Sequence, residues 1–225
     1  MLSTDSRMGK SPSVISRIVQ TMTKIVLASR NKHKVEELKF FLSGLPLEVA
    51  TLDDFPNVPS LVEDGKTFKE NALKKAYQVY RQTNVLTLAD DSGLEVFFLN
   101  GRPGVHSARY AGIDANDDAN NEKLLMEMRG VAPRRRGAQF HSFLALVGKG
   151  IEKTSEGICP GLLAENPRGT NGFGYDPIFI PNDFKRTYAE LVAEEKNRIS
   201  HRSRAFEKMR EILKTDLVTI AKRVG

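Results

Sequence analysis

Two neighbouring carboxylates, Asp90 and Asp91, follow the apolar run Leu86–Ala89 and are themselves followed by Ser92 and Gly93. Like charges this close repel, and one pKa rises unless a cation neutralises the pair. A hard dication such as Mg²⁺ does so, through one or two carboxylates together with phosphate oxygens. Successive side chains of a strand point to opposite faces. The two acids therefore converge only if the strand ends here, and Ser92-Gly93 reads as a turn that permits it. The plainer alternative is that one acid caps a loop and the other pairs with an arginine. A second cluster, Glu63-Asp64-Gly65, precedes a helix. One of its carboxylates can face the same cleft as Asp91 and give a cation a second oxygen; equally, the cluster suits a solvated turn.

Phosphate has its own candidates. Ser29, Arg30, Asn31, Lys32, His33 and Lys34 lie at a strand-to-helix junction. Helix N-termini carry unpaired N–H groups and partial positive charge, so they bind phosphate readily. Ser29 and Asn31 add neutral donors and Lys34 a full charge one turn in. The spacing is not that of a P-loop, and the junction alone suits an ordinary capped helix as well. Asn71 and Lys75, four apart, share a helix face; Lys75 can solubilise the surface or make a second phosphate contact.

A flat ligand would suit Gly172-Phe173-Gly174-Tyr175-Asp176. Glycines flanking an aromatic let backbone approach closely. Phe173 can then stack on a base, a contact worth roughly 1–3 kcal/mol in single-strand binders, and Asp176 can accept from a ring N–H. A tight turn with a core phenylalanine fits the same residues. Lys196, Ser200, His201 and Arg202 form a donor-rich cluster near a helix start, which suits a purine with a 6-keto oxygen better than adenine.

These groups need elements to hold them. Residues 24–29 read as a buried strand and 31–42 as a helix with Val35, Leu38, Phe41 and Leu42 on one face. Residues 47–55 are strand-like. Thr67 and Glu70 form a capping-box pattern that opens a helix over 67–82. A strand follows over 85–89, then a helix ending before Gly130. Residues 138–147 and the segment after Gly150 read as a hairpin. A late helix, capped by Ser200, spans 200–214 with Ala205, Met209 and Ile212 on one side. Alternating strands and helices followed by hairpin strands predict an α/β fold with a mixed central sheet and helices on both sides.

Composition narrows the class. The chain has 225 residues, 40% hydrophobic and 28% charged, as expected of a globular protein of one domain or two lobes. Net charge is +6, but residues 1–23 and 214–225 each contribute +2, so the body is nearly neutral and lacks the basic stripe of a nucleic-acid binder. Arg134-Arg135-Arg136 reads as a solvated turn. No run is long and apolar enough to span a membrane. The one cysteine, Cys159, excludes an internal disulfide and points to a reducing compartment, the cytoplasm. Four histidines without paired spacing argue against zinc. The expected divisions are an extension over 1–22 (disordered, or preceding a start at Met22), a catalytic body over 23–214, and a tail over 215–225.

The runs LASRNKHK, VEDGKTFKENALKKA, LADDSGL, GRPGVHSARYAG, TNGFGYDPIF and EEKNRISHRSRAF together resemble the inosine triphosphate pyrophosphatase family. They occur in the family's order and cover nearly all of 24–213. The resemblance implies a cleft between two α/β lobes and a homodimer. It implies Mg²⁺-dependent hydrolysis of ITP, dITP and XTP to the monophosphate and pyrophosphate. By matching positions, Ser29 to Lys34 and Lys75 would hold phosphates, while Glu63 and Asp91 would bind metal. Asp91 would also accept the proton of the attacking water, with Asp90 assisting and Ser92 touching substrate. Phe173, Gly174, Tyr175, Asp176, Lys196, His201 and Arg202 would surround the base. Arg30 and Asn171 stand where glycine is common, and His106 where tyrosine is frequent. Two rivals remain: a hydrolase of the same build for GTP, a pyrimidine triphosphate or a modified nucleotide, and a non-catalytic module binding nucleotide or nucleic acid.

Overall fold

A computed structural model describes residues 22–224, with side chains described to Thr215. The expected extension over 1–22 therefore lies almost wholly outside the described residues. Six strands form one mixed sheet: β1 (Thr23–Leu27), β2 (Leu47–Thr51), β3 (Leu86–Val96), β4 (Gly137–Gly148), β5 (Ile151–Leu163) and β6 (Phe179–Pro181). Their order is β2-β1-β3-β4-β5-β6. The β1 pairings are parallel and the later ones antiparallel. The mixed sheet expected from the sequence is thus observed.

Five α-helices pack on it: α1 (Lys32–Leu42), α2 (Phe68–Thr83), α3 (Asp117–Glu127), α4 (Ala193–Ile199) and α5 (His201–Val224). Asn31 caps α1 and Thr67 caps α2 through their side chains. The α2 stripe Phe68, Asn71, Ala72, Lys75, Ala76 and Val79 is buried, the spacing of one helical face. Two members of that apolar stripe are polar, and burying them costs free energy unless they are bonded. The 47–55 stretch is strand only to Thr51; Leu52–Asp54 form a 3₁₀ turn closed by Asp54 bonding back to Thr51.

One expectation is corrected. β3 does not stop at Asp90-Asp91 but runs on to Val96, paired with β4 throughout. Leu86 and Leu88 face the core made with α1 and α5, whereas Ala89 faces the core made with α2. Asp90 therefore shares the first face and Asp91 the second. Gly93 does not make a turn: a Cβ there would lie 2.4 Å from the Ser107 hydroxyl and 2.5 Å from the Gly104 carbonyl. It is glycine because another segment presses on the strand. Beyond it, Leu94 and Val96 enter a third core with Phe140, Phe179 and Tyr188. The long strands β3, β4 and β5 thus run from one packed region into another, with a polar belt between.

Candidate active site

The belt lies where β3 passes α1, α2 and α5. On one face Asp90, 1% exposed, accepts from Ser142 at 2.7 Å and Ser92 at 3.0 Å. Lys34 reaches it at 2.9 Å and the Arg202 Nε at 3.5 Å. Burial alone would raise its pKa, but Lys34, Arg202 and the Ser142 bond outweigh it and hold the carboxyl far below its usual range. Both Asp90 oxygens are thus engaged, and the carboxylate fixes Lys34 and Arg202.

Arg202 is also buried, ion-paired with Glu37 and bonded to the Ser92 hydroxyl at 3.0 Å. Burial works against its charge, but Glu37 and Asp90 prevail and raise its pKa. Lys196 bonds Asp176 at 2.6 Å and Glu37 at 3.2 Å. Three carboxylates, Asp90, Glu37 and Asp176, thus face three cations, Lys34, Arg202 and Lys196. His201 is stacked on Phe140 with ring centroids 4.6 Å apart. Burial, with Arg202 beside it, drives its pKa well below the ordinary value. The full charges of the donor-rich cluster expected from the sequence therefore lie on Lys196 and Arg202, beside His201.

The other face differs. Lys75 lies between Asp91 at 2.7 Å and Glu63 at 2.9 Å, buried rather than at the surface. Burial opposes its charge, yet Asp91 and Glu63 keep it protonated and raise its pKa. Burial raises the pKa of Asp91, and Lys75 and Lys34 only partly offset this. Its Oδ2 is buried without a hydrogen-bond partner. Glu63 is placed by two neighbours: Asn71 accepts from the Gly65 N–H at 2.7 Å, and Arg109 donates to the Glu63 carbonyl at 3.0 Å. Asp64 instead pairs with Lys74 at the surface.

The glycine loop meets the belt from above. Phe173 stacks on His33 at 5.1 Å, with Lys196 over its ring at 4.8 Å and Arg202 at 5.6 Å. Asp176 accepts the Phe173 N–H at 2.9 Å, and Tyr175 donates to the Ser107 carbonyl at 2.8 Å. At the α1 junction, Ser29 accepts from the Asn31 N–H and Asn31 from the Lys34 N–H. Arg30 is turned to the Val58 carbonyl at 2.8 Å, and Lys32 is exposed.

Two hollows meet here. One, with about 600 Å³ of empty space, is lined by Phe173, Tyr175, Asp176, Lys196, His201 and Arg202. The other, with about 920 Å³, is lined by Ser29, Arg30, Glu63, Lys75 and Asp91. Asn31, Lys34, Ser92 and Ala108 line both, so they form one cleft with an aromatic end and a carboxylate–lysine end. The structure brings the sequence-predicted residues together around this cleft, except for Asp64, paired at the surface, and Lys32, exposed and lining neither hollow. Sequence reasoning missed Glu37, Arg109 and Ser142. Glu37 had a signal: it lies one helical turn past Lys34 on α1.

The carboxylate–lysine end can be tested for a divalent cation. Among the described residues no three His, Cys, Asp or Glu side chains form a closed metal cage. Glu63 and Asp91 share Lys75, with the Arg109 guanidinium 3.8 Å from Glu63, and the buried Asp91 Oδ2 has no hydrogen-bond partner. That donor set fits a cation of the Mg²⁺ type, which takes one or two carboxylates and completes its shell with water and phosphate.

Comparison with known proteins places this cleft in context. The Ham1 family profile matches residues 25–212. A dITP/XTP pyrophosphatase of Geobacter sulfurreducens is 48% identical over 85% of this chain and 97% of its own length. One from Listeria monocytogenes is 48% identical over 90% of this chain and 98% of its own. Among solved structures, a HAM1 protein from Coxiella burnetii superposes with a TM-score of 0.80 at 42% identity, covering 86% of this chain and 100% of that one. A nucleoside-triphosphatase, dITP/XTP pyrophosphatase, from Mycobacterium abscessus gives 0.70 at 45% identity, covering 83% and 97%.

Proposed function

The chain belongs to the Ham1 family, and from that membership and the build of its cleft we propose that it hydrolyses non-canonical purine nucleoside triphosphates, ITP, dITP and XTP, to the monophosphate and pyrophosphate. The observation that carries the reading is the single cleft joining an aromatic end, walled by Phe173 and Lys196, to an end where Lys34 and Lys75 stand beside Asp91. A base and a triphosphate tail differ in chemistry in the same way.

Phosphoryl transfer asks mainly for positioning and charge neutralisation. Lys34 and the α1 N-terminus, with Ser29 and Asn31, receive phosphate oxygens; Asp90 and Asn31 hold them ready. Glu63 and Asp91 would hold Mg²⁺, which when bound neutralises the phosphate charge and polarises the phosphoryl oxygens. Asp91, with its free buried oxygen and raised pKa, accepts a proton from a water beside the α-phosphorus. Lys75 keeps Asp91 oriented. At the other end Lys196 donates toward a 6-keto oxygen and Phe173 covers the base, while Asp176 fixes Lys196. A cytoplasmic location, from the lone cysteine, and a homodimer, from the family resemblance, complete the proposal. No helix among the described residues is long and apolar enough to cross a membrane.

A pyrophosphate-release screen over ITP, dITP, XTP, GTP and ATP, with Mg²⁺ and with a chelator, tests the reading. ITP, dITP and XTP should yield pyrophosphate only with the metal. Release of orthophosphate, or a preference for ATP, would overturn it; sedimentation of the purified chain tests the dimer.

A further inference from the structure

The loop that carries Phe173 is held by α3, a helix at the rim of the cleft with no part in the chemistry above. The Gly174 N–H donates to Asp117 Oδ2 at 2.6 Å, and the Gly174 carbonyl accepts from Asn121 Nδ2 at 2.9 Å. Residues 117 and 121 are four apart and so share one helix face. Both polar groups of one residue are thereby clasped by one helical turn. Gly174 has φ +64°, a left-handed conformation that glycine adopts without strain. The same helix secures the opposite bank: Asn120 accepts from the Ala111 N–H at 2.7 Å and donates to the Ala108 carbonyl at 3.2 Å. Ala108 and Gly174 both line the aromatic end of the cleft, as does Asp117.

Phe173 thus hangs between two fixed points. Behind it the Asp176 carboxylate holds its N–H; ahead of it α3 holds Gly174. With both ends tied, its ring keeps one plane against His33 and Lys196. We propose that Asp117 and Asn121 are positioning residues for base recognition, which set the plane of the Phe173 ring before a nucleotide arrives. This rests on the proposed function, because it presumes that Phe173 covers a purine.

The experiment compares the parent with Asp117→Ala, Asp117→Asn and Asn121→Ala. It measures kcat and KM for ITP, the Kd of IMP by calorimetry, and the inhibition constant of inorganic tripolyphosphate, which has no base. A charged hydrogen bond of this kind corresponds to about a tenfold effect or more. Asp117→Ala should raise KM for ITP and Kd for IMP about tenfold while kcat changes less than about threefold. Asp117→Asn, which keeps a neutral acceptor, should recover most of the loss. Tripolyphosphate inhibition should not move. KM and Kd unchanged in Asp117→Ala, or tripolyphosphate weakening in step with ITP, would overturn the inference. Asn121 is buried and its variant can fail to fold; Asp117 is exposed and carries the test without it. A parent that neither binds IMP nor cleaves ITP would sink the proposed function itself, an outcome visible before any variant is made.

Discussion

Asp90 and Asp91 are adjacent in sequence, yet their replacement by asparagine should have opposite consequences. Asp90→Asn removes one of three carboxylates facing three cations and leaves Lys34 and the buried Arg202 undercompensated. Breaking a buried pair from one side costs about 3–5 kcal/mol. Arg202 retains Glu37, and the amide oxygen can still accept from Ser142, so the lower end, about 3 kcal/mol, applies. For a chain of this size that lowers Tm by roughly 6–12 °C. Asp91→Asn removes a charge whose ionised form burial already disfavours, and Lys75 keeps Glu63 at 2.9 Å. Its Tm should stay within about 3 °C of the parent, or rise, while pyrophosphate release falls on the order of 10²–10⁴-fold, the usual worth of a general base. Thermal unfolding at pH 7 in metal-free buffer, beside the pyrophosphate assay, reads both. If the two variants melt together, or Asp91→Asn cleaves ITP at the parent rate, the assignment of a structural anion to one face and a reactive one to the other is wrong.

Lys196→Met should lower the ratio of kcat/KM for ITP over ATP by about tenfold, through loss of a charged donor; an unchanged ratio removes Lys196 from base recognition. His141, 3.6 Å from both Glu95 and Glu156, has its pKa raised chiefly by the Glu95 bond. Its stabilising charge is therefore present in full below the unfolded value, about 6.5, and lost as pH rises through the higher folded value. The difference in urea midpoint between the parent and His141→Gln should be largest near pH 6 and shrink toward pH 9; a constant difference refutes it. Gly157→Ala would put a Cβ 2.2 Å from the His201 carbonyl and 2.3 Å from the Ala205 nitrogen, so α5 must shift. It should cost about 1–3 kcal/mol and reduce turnover, because α5 carries His201 and Arg202; parent-like melting and rate would show that the helix has slack.

Much of this was legible because local signals agreed. The Thr67–Glu70 capping pattern, the apolar face of α1 and the hairpin glycines each point to one structure, whereas the shared face of Asn71 and Lys75 left open whether Lys75 lies at the surface or in the site. The reading failed where a residue's role depends on a distant partner. Ser92-Gly93 has turn composition, but Gly93 answers to Ser107 and Gly104, eleven or more residues away. Glu37 reads as a surface helix residue until Lys196 and Arg202, more than 150 positions on, fold against it. The late helix starts where Ser200 was read to cap it, but the seven-residue α4 before it was not foreseen, being too short to show a periodic stripe.

The strand β3 acts as a partition whose two sides carry different electrical assignments, read off consecutive codons. Inserting one residue between Leu86 and Asp90 would put Ala89 where Asp90 stands, and deleting one would put Ser92 where Asp91 meets Lys75, each acid moving to the opposite face. The segment should accept many point changes yet no shift of frame within the sheet, whereas the connection at 97–101, lying outside that ladder, should absorb changes in length far more readily.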